Sequence, residues 1–566
     1  AIVHHRATDT DAIRLALAVA SACTLRDSVA ERLLHALVAQ TDVVYAATHT
    51  PAFRRPCVAL LVRLVQRDSL ATPTTLARLV YLYRGTTDAC DAALWAVLER
   101  GTRDGAWAAA WSADKQAVPT SLPLASCLTA LLSLLPTASY DPWLVLNLVG
   151  GAILERETHD AYLTGLEWLA ILRTGAMGRV VTCLSTHRAA LRLHAMRVLG
   201  QVHASLQPTA FREKELVLLV LERVRDALPP PPPTSVAGTY DEVPWLPSMT
   251  TMLAAHALRL VATPHASAFP DVCRYLLQRP RLDVLDVPML YRSLHSTHDS
   301  WAAQRAWILR FLHDAWQAHA SVADTPHPRG LQRARTEWSM FKRRHVWDLV
   351  LSMYGTMLSS AAATDHRFAQ QLEDVMLAAA AIPHVAQDLI TRRGLLGWIT
   401  LRIASERPTS ERAVFWYTWL WTLCAPPSLP PHATLARLER LDHQLDGALV
   451  PAVLLPATHL VRTAPWTDAC ARPALALLAV LAEYAALQDT TCRDLRPCLA
   501  VLAPLASWLR THPDRDLHST ALRCTLLLSD AGAPPPHIRR LFALLRLDQV
   551  PATRPWAAAA LRSLHL

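Results

Sequence analysis

The sequence predicts an all-α protein: an α-solenoid of stacked antiparallel helix pairs, HEAT- or armadillo-like, with irregular repeats. Three observations carry that prediction. Positions such as Leu191, His194, Ala195, Val198 and Val202 share one helical face, and similar spacing recurs along almost the whole chain. Proline is common and glycine scarce, 39 against 16, with the prolines read as turns between apolar runs rather than residues inside them. The chain has 566 residues, more than one hydrophobic core organises, and 52% of them are hydrophobic, so burial must be divided among domains or repeats.

Taken in order, Val180, Val181 and Leu184, a turn at 185–188, and the stripe from Leu191 to Val202 read as one helix hairpin. Similar units follow at irregular intervals of roughly forty residues. A lone hairpin cannot bury its apolar faces, whereas stacked hairpins can. Five consecutive prolines at 229–233 and an aperiodic stretch after them predict a polyproline connector or exposed loop. The expected segments are therefore a helical-repeat segment 1–228, a linker 229–247, a segment 248–424 with Trp-bearing helices, and C-terminal helical repeats 425–566. Smaller breaks are expected at 101–119, 319–330 and 425–432, the first with Trp107 and Trp111 docked on neighbouring helices. Asp283 and Asp286, followed by Pro288, read as a capped helix start.

Two Trp-bearing helices stand out within 282–354. The first buries Trp307, Ile308, Phe311, Leu312 and Ala315. The second is read as one continuous helix from Trp338 through Leu351, with an apolar stripe of Phe341, Val346, Leu349, Val350 and, just beyond, Met353. Each stripe is wide, as for a helix packed between two neighbours.

Several function classes are disfavoured. Strand-like alternation is hard to find. No window of about 18 residues stays apolar and free of charge, and the best stretch, 473–487, carries Glu483, so no membrane partner is expected. The chain opens at Ala1 with no charged-then-apolar leader, and reads as a piece of something longer. Eleven cysteines are spread singly, none as Cys-x-x-Cys, which predicts buried reduced thiols and no zinc site. His4, His5, Asp9 and Asp11 are close in sequence but terminal, and no metal is assigned to them. Glycine-rich phosphate loops, nucleophile elbows and zinc-protease motifs are missing, so no enzyme and no cofactor are expected.

Charge is more informative. The net charge is +9 with a pI near 9.1, and only three lysines occur, so the basic side is nearly all arginine. Arginine forks suit phosphate, although the accompanying wealth of Ala, Pro and Leu also fits a genomic base-composition bias. The densest cluster is Arg329, Arg333, Arg335, Lys342, Arg343 and Arg344, with Glu337 as the acid among them. These six are the RNA-contact candidates, since cations at such density can follow a phosphate backbone. Trp338 and Phe341 lie among them and could stack bases. Their place on the apolar stripe instead assigns them to the core and makes the cations a solvated face. Arg54-Arg55, Arg392-Arg393 and Arg539-Arg540 are weaker basic pairs.

The order of short motifs resembles one family, the nucleolar pre-ribosomal-associated proteins, in their C-terminal region. Tyr140-Asp141-Pro142, the hairpin 175–203, the 211–228 helix with Glu213 and Lys214, and the stretch 282–288 are similar to it. So are the Arg305/Trp307 to Arg310 helix, the Arg343-Arg344 helix ending at Tyr354, Ile382-Pro383, Leu389-Ile390 and 394–398. Tyr83, Thr86, Asp88 and Asp91 follow a Tyr-x-x-Thr-x-x-x-x-Asp pattern of the same proteins. The match covers about 140–400. Two departures are a longer loop at 317–335 and Asp348 where the family tends to have glutamate.

The resemblance implies a non-enzymatic nucleolar scaffold for early assembly of the large ribosomal subunit. Its implied partners are pre-rRNA and early assembly factors, including a helicase. The alternatives are another α-solenoid adaptor, such as a nuclear transport receptor or trafficking scaffold, and a regulatory or catalytic subunit.

Overall fold

The computed structural model describes residues 9–22, 27–39, 43, 51–65, 79, 82–83, 85–86, 88–91, 93–94, 97, 127–132, 134, 140–157, 161–186, 188–229, 243–279, 282, 287–320, 328–358, 363–405, 409–427, 429, 431–487, 496–511, 515–530, 533 and 535–545. Among these the secondary structure is helical throughout, apart from a single isolated bridge between Thr86 and Tyr140. The all-α expectation therefore holds. Two compact units divide the chain, Ala1–Asp283 and Val284–Leu566.

The first unit contains α1 (Thr10–Ala22), α2 (Asp27–Ala39), α3 (Pro51–Val65), α4 (Cys127–Leu132), α5 (Pro142–Glu157), α6 (Gly165–Thr174), α7 (Ala176–Thr182), α8 (Ala189–Leu206), α9 (Lys214–Ala227), α10 (Ser248–Val261) and α11 (Phe269–Gln278). Helices α1 to α3 share a core around Ile13, Leu37, Phe53 and Leu60. Further on, α5 packs on α4, α7 and α8, and α10 packs on α7 and α9. The hairpin read at 180–202 is present, with a short 3-10 turn Cys183–Ser185 leading into α8. Leu191, Ala195, Val198 and Val202 are buried as expected, while the half-buried His194 bonds Asn147 at 3.0 Å. Thr164 and Glu167 form a reciprocal capping box at the start of α6, satisfying two backbone N–H groups. Gly175, at φ 76°, ends that helix in the left-handed region, where glycine is favoured.

Tyr83, Thr86 and Asp91 belong to a buried polar lock. Asp91 is 0% exposed and Arg54 3%. One Asp91 oxygen pairs with the Arg54 guanidinium, and the other accepts the Thr86 N–H at 2.9 Å. Arg54 also donates to the Leu82 carbonyl at 3.0 Å. The Tyr83 hydroxyl bonds Asp141, whose N–H donates to the Gly85 carbonyl at 2.6 Å. Burial raises the Asp141 carboxyl above its usual range. The motif thus joins α3 to the start of α5, and Arg54 of the weaker basic pair is an interior residue.

The second unit contains α12 (Leu290–Leu294), α13 (Trp301–Ala320), α14 (Pro328–Arg343), α15 (Val346–Leu358), α16 (Ala363–Ala380), α17 (Pro383–Arg392), α18 (Leu395–Ser405), α19 (Ser410–Cys424), α20 (Pro431–Gln444), α21 (Leu449–Thr463), α22 (Asp468–Leu487), α23 (Arg496–Leu509), α24 (Arg515–Asp530) and α25 (Pro535–Leu545). Two rows emerge from their packing. In one, α13, α16, α19, α22 and α24 each pack on the next; in the other, α18, α21, α23 and α25 do the same. Helix α19 is apolar nearly all round because helices meet it from several sides, and it buries Phe415, Trp416, Tyr417 and Trp419.

Several expectations need correction. Helix α13 continues to Ala320 and α14 begins at Pro328, so most of the expected loop at 317–335 is helical. Proline at the first helical position sacrifices no hydrogen bond, and the Arg, Gln and Ala residues after it favour helix. Prolines also occur inside helices, at Pro56, Pro456, Pro473 and Pro504. Each removes one backbone N–H from its helix ladder, a local cost that the apolar packing of these helices offsets. Helix α22, at 20 residues, is longer than the apolar stretch read from sequence, and by length and composition it could cross a bilayer. Here it lies between α19 and α24, burying Leu475, Leu478 and Leu481. Asp283, Asp286, Trp107, Trp111, His4, His5 and residues 230–242 lie outside the described residues.

The nine described cysteines are free. Burial pushes Cys57, Cys127, Cys183, Cys424 and Cys524 from an ordinary 9.0 up to about 12. The folded state therefore retains protons that the unfolded state releases, and stability falls as pH rises from 9 towards 12. These thiols are expected to resist alkylation at pH 8 until urea unfolds the chain. Rapid native labelling at Cys57 or Cys424, read by mass spectrometry, would contradict this.

Candidate nucleic-acid interface

The basic cluster surrounds a break between two helices. The single helix expected from Trp338 to Leu351 ends at Arg343 and restarts at Val346. Its geometry makes the break necessary. Trp338, Met340 and Phe341 are buried before it, and Val346, Trp347 and Val350 after it. On a straight helix of about 3.6 residues per turn, Trp338 and Phe341 would point to the side roughly opposite Val346, Trp347 and Val350. His345, at φ 51°, turns the chain through the left-handed region so that both sets reach the interior. The basic residues are left on the outside of the turn.

Arg343, Arg344 and His345 are exposed, as is Arg335 on the preceding turns of α14. Lys342 is half-buried, with its ammonium 3.7 Å from Asp388 of α17. Arg329 and Arg333 lie on α14, but their side chains are outside the described residues. The structure thus gathers Lys342, Arg343 and Arg344 at one helix end, with Arg335 farther back on the same helix.

Helix α17 packs beside α14 and adds cations that sequence separation had set apart. Arg392 pairs with Asp388 at 3.7 Å, and Arg393 donates to both oxygens of Asp348 at 3.1 Å. Asp348 also meets His345 Nδ1 at 3.0 Å. In the first turn of α15, this short carboxylate complements the helix N-terminus, while Lys342, Arg343 and Arg392 complement two C-termini. Two carboxylates face five cationic side chains, leaving the patch positive.

Aromatic rings underlie the patch. The Trp338 indole N–H donates to Asp388 at 2.9 Å. Its ring lies 5.8 Å from Trp316 and 6.3 Å from Trp347, and Trp347 continues to Trp419 at 6.3 Å. Phe341 meets Trp316 at 4.3 Å. Trp338 and Phe341 are each 2% exposed, so they brace the turn and have no face to offer a base. The exposed aromatic beside the turn is Tyr291 of α12, whose hydroxyl donates to the Arg344 carbonyl at 2.6 Å. Sequence reading missed it because 53 residues separate the partners, and only the resemblance at 282–288 pointed nearby.

Fold and surface together define an all-helical protein with a cationic interhelix turn seated on an aromatic core. Residues 177–398 match the family described as nucleolar pre-ribosomal-associated protein 1, so the resemblance read in the sequence is borne out over this stretch. The mouse (Mus musculus) protein of that name is 22% identical over 268 residues, covering 47% of this chain. The aligned part is 10% of the mouse protein, so the chain spans a small fraction of that relative's length. No solved structure matches the chain. The nucleolus, the expected compartment, agrees with the names of both the family and the relative.

Proposed function

We propose that this chain is a non-enzymatic α-solenoid scaffold acting in nucleolar assembly of the large ribosomal subunit. In this reading it holds early assembly factors, a helicase among them, close to pre-rRNA. The carrying observation is that the family match over 177–398 contains the whole cationic turn, from Arg335 to Arg393. The two rows of helices, each packed on the next, support the solenoid reading, since repeats stacked in this way form extended binding surfaces. The exposed Arg343 and Arg344 are the phosphate contacts, with Arg335 extending the track along α14.

Reversing Arg335, Arg343 and Arg344 to glutamate is expected to weaken binding to single-stranded pre-rRNA fragments by more than about tenfold. The slope of log affinity against log salt should flatten by about 2, because three phosphates would no longer be neutralised by the protein. Thermal unfolding should barely change, because these side chains are exposed. In cells, crosslinking of the tagged wild-type protein should recover large-subunit precursor RNA together with assembly factors. Recovery of transport cargo or coat components without ribosomal precursors would favour the adaptor alternative and remove this one.

A further inference from the structure

We infer that Tyr291 is a stacking platform for a base of single-stranded RNA whose phosphates lie on the Arg343–Arg344 turn. The inference rests on the RNA-contact reading of that turn and adds the form of the RNA and the residue that recognises it. Tyr291 is 44% exposed, and its ring lies parallel to that of the exposed His295, with centroids 6.5 Å apart and planes 10° from each other. Two neighbouring planar faces are therefore presented at the surface. The Tyr291 hydroxyl is anchored on the Arg344 carbonyl, the backbone of the same turn that carries the cations. The ring is thereby held in place before any ligand arrives, which lowers the ordering cost of stacking.

Neighbouring residues make the same site selective. Trp338 and Phe341, the rings that sequence proximity offered, are buried, so Tyr291 supplies the aromatic face next to the phosphate contacts. A duplex keeps its base faces inside the helix and meets such a site only through its backbone. A single strand offers a free base face about one nucleotide from each phosphate, and its stacking tolerates any sequence. An acidic peptide would satisfy the arginines but would gain nothing specific from the ring.

Fluorescence anisotropy on the full chain, with labelled oligouridine and with an RNA duplex of equal phosphate count, separates these outcomes. Tyr291→Ala is expected to weaken oligouridine binding about tenfold while leaving duplex binding and the salt slope unchanged. Tyr291→Phe, which keeps the ring, should retain most of the affinity. If charge reversal at Arg343 and Arg344 weakens both probes but Tyr291→Ala changes neither, the platform is wrong and the phosphate reading stands. If charge reversal changes neither probe, the phosphate reading itself fails. Displacement by polyglutamate as effective as by oligouridine, without dependence on Tyr291, would make the surface an acidic-protein site. Ultraviolet crosslinking of oligouridine to the wild-type chain gives a readout independent of variant folding. An adduct on the peptide containing Tyr291 supports the inference, and adducts confined to other peptides overturn it.

Discussion

Replacing Asp91 with alanine is expected to destabilise the protein by about 3–5 kcal/mol, because the buried Arg54 would lose its closest counter-charge and keep only the half-exposed Asp88, 4.0 Å away. The Arg54 and Asp91 side chains are 3% and 0% exposed, so water cannot compensate for the lost carboxylate. The Thr86 N–H, now bonded to Asp91 at 2.9 Å, would lose its acceptor as well. Thr86 also bridges to Tyr140 at the start of α5, so the damage should spread beyond the vacated site. Urea unfolding followed by circular dichroism gives the loss directly. The paired variant Arg54→Met with Asp91→Leu removes both charges, and should recover most of that stability if desolvation is the dominant cost. A loss below about 1 kcal/mol in Asp91→Ala would show that Arg54 finds another partner.

This lock shows how far the sequence could be read. The pattern Tyr83, Thr86, Asp91 was visible as a family resemblance, yet its role was not, because its partner Arg54 lies 37 residues upstream in what looked like a surface basic pair. Local periodicity reports which face of a helix is apolar; it does not report which distant charge that face encloses. The helix type was legible nearly everywhere for the same reason, and the α8 stripe from Leu191 to Val202 emerged as read except for the half-buried His194.

The cationic turn was half legible. Arg343 and Arg344 were identified, but the break beside them was not. Helical periodicity runs unbroken from Trp338 to Leu351 with neither glycine nor proline, and the basic run Lys342 to His345, a feature of helix ends, was read as a solvated face instead. What breaks the helix is the need to bury two apolar arcs on roughly opposite sides, a tertiary demand that places His345 in the left-handed region. Arg392, Arg393 and Tyr291 join the turn only through packing of α17 and α12, across separations that no motif spans.

The second large effect is expected at Trp419, where substitution by alanine should cost about 3–5 kcal/mol. Trp419 is 0% exposed and lies at the centre of a cluster of rings. Phe415 lies 5.5 Å away, Trp416 5.8 Å, Trp347 6.3 Å and Trp398 6.4 Å. Truncation would open a cavity on the side of α19 that supports Trp347, and Trp347 sits one residue after the start of α15. Loosening there should reach the Arg344–His345 turn and weaken RNA binding as a secondary effect of lost stability. Trp419→Phe gives the contrast. The indole N–H of Trp419 has no hydrogen-bond partner among the described residues, so removing it relieves a buried polar group while opening a smaller void. These changes oppose each other, and the net cost of Trp419→Phe should stay below about 2 kcal/mol, on the usual scale for core truncations. Tyr291→Ala, at an exposed position, should do the reverse, weakening single-strand binding with little change in unfolding. Equal unfolding midpoints for Trp419→Ala and wild type would mean that the ring cluster fills space without holding α15 in place, and that the cationic turn is supported mainly by the Asp388 and Asp348 bridges.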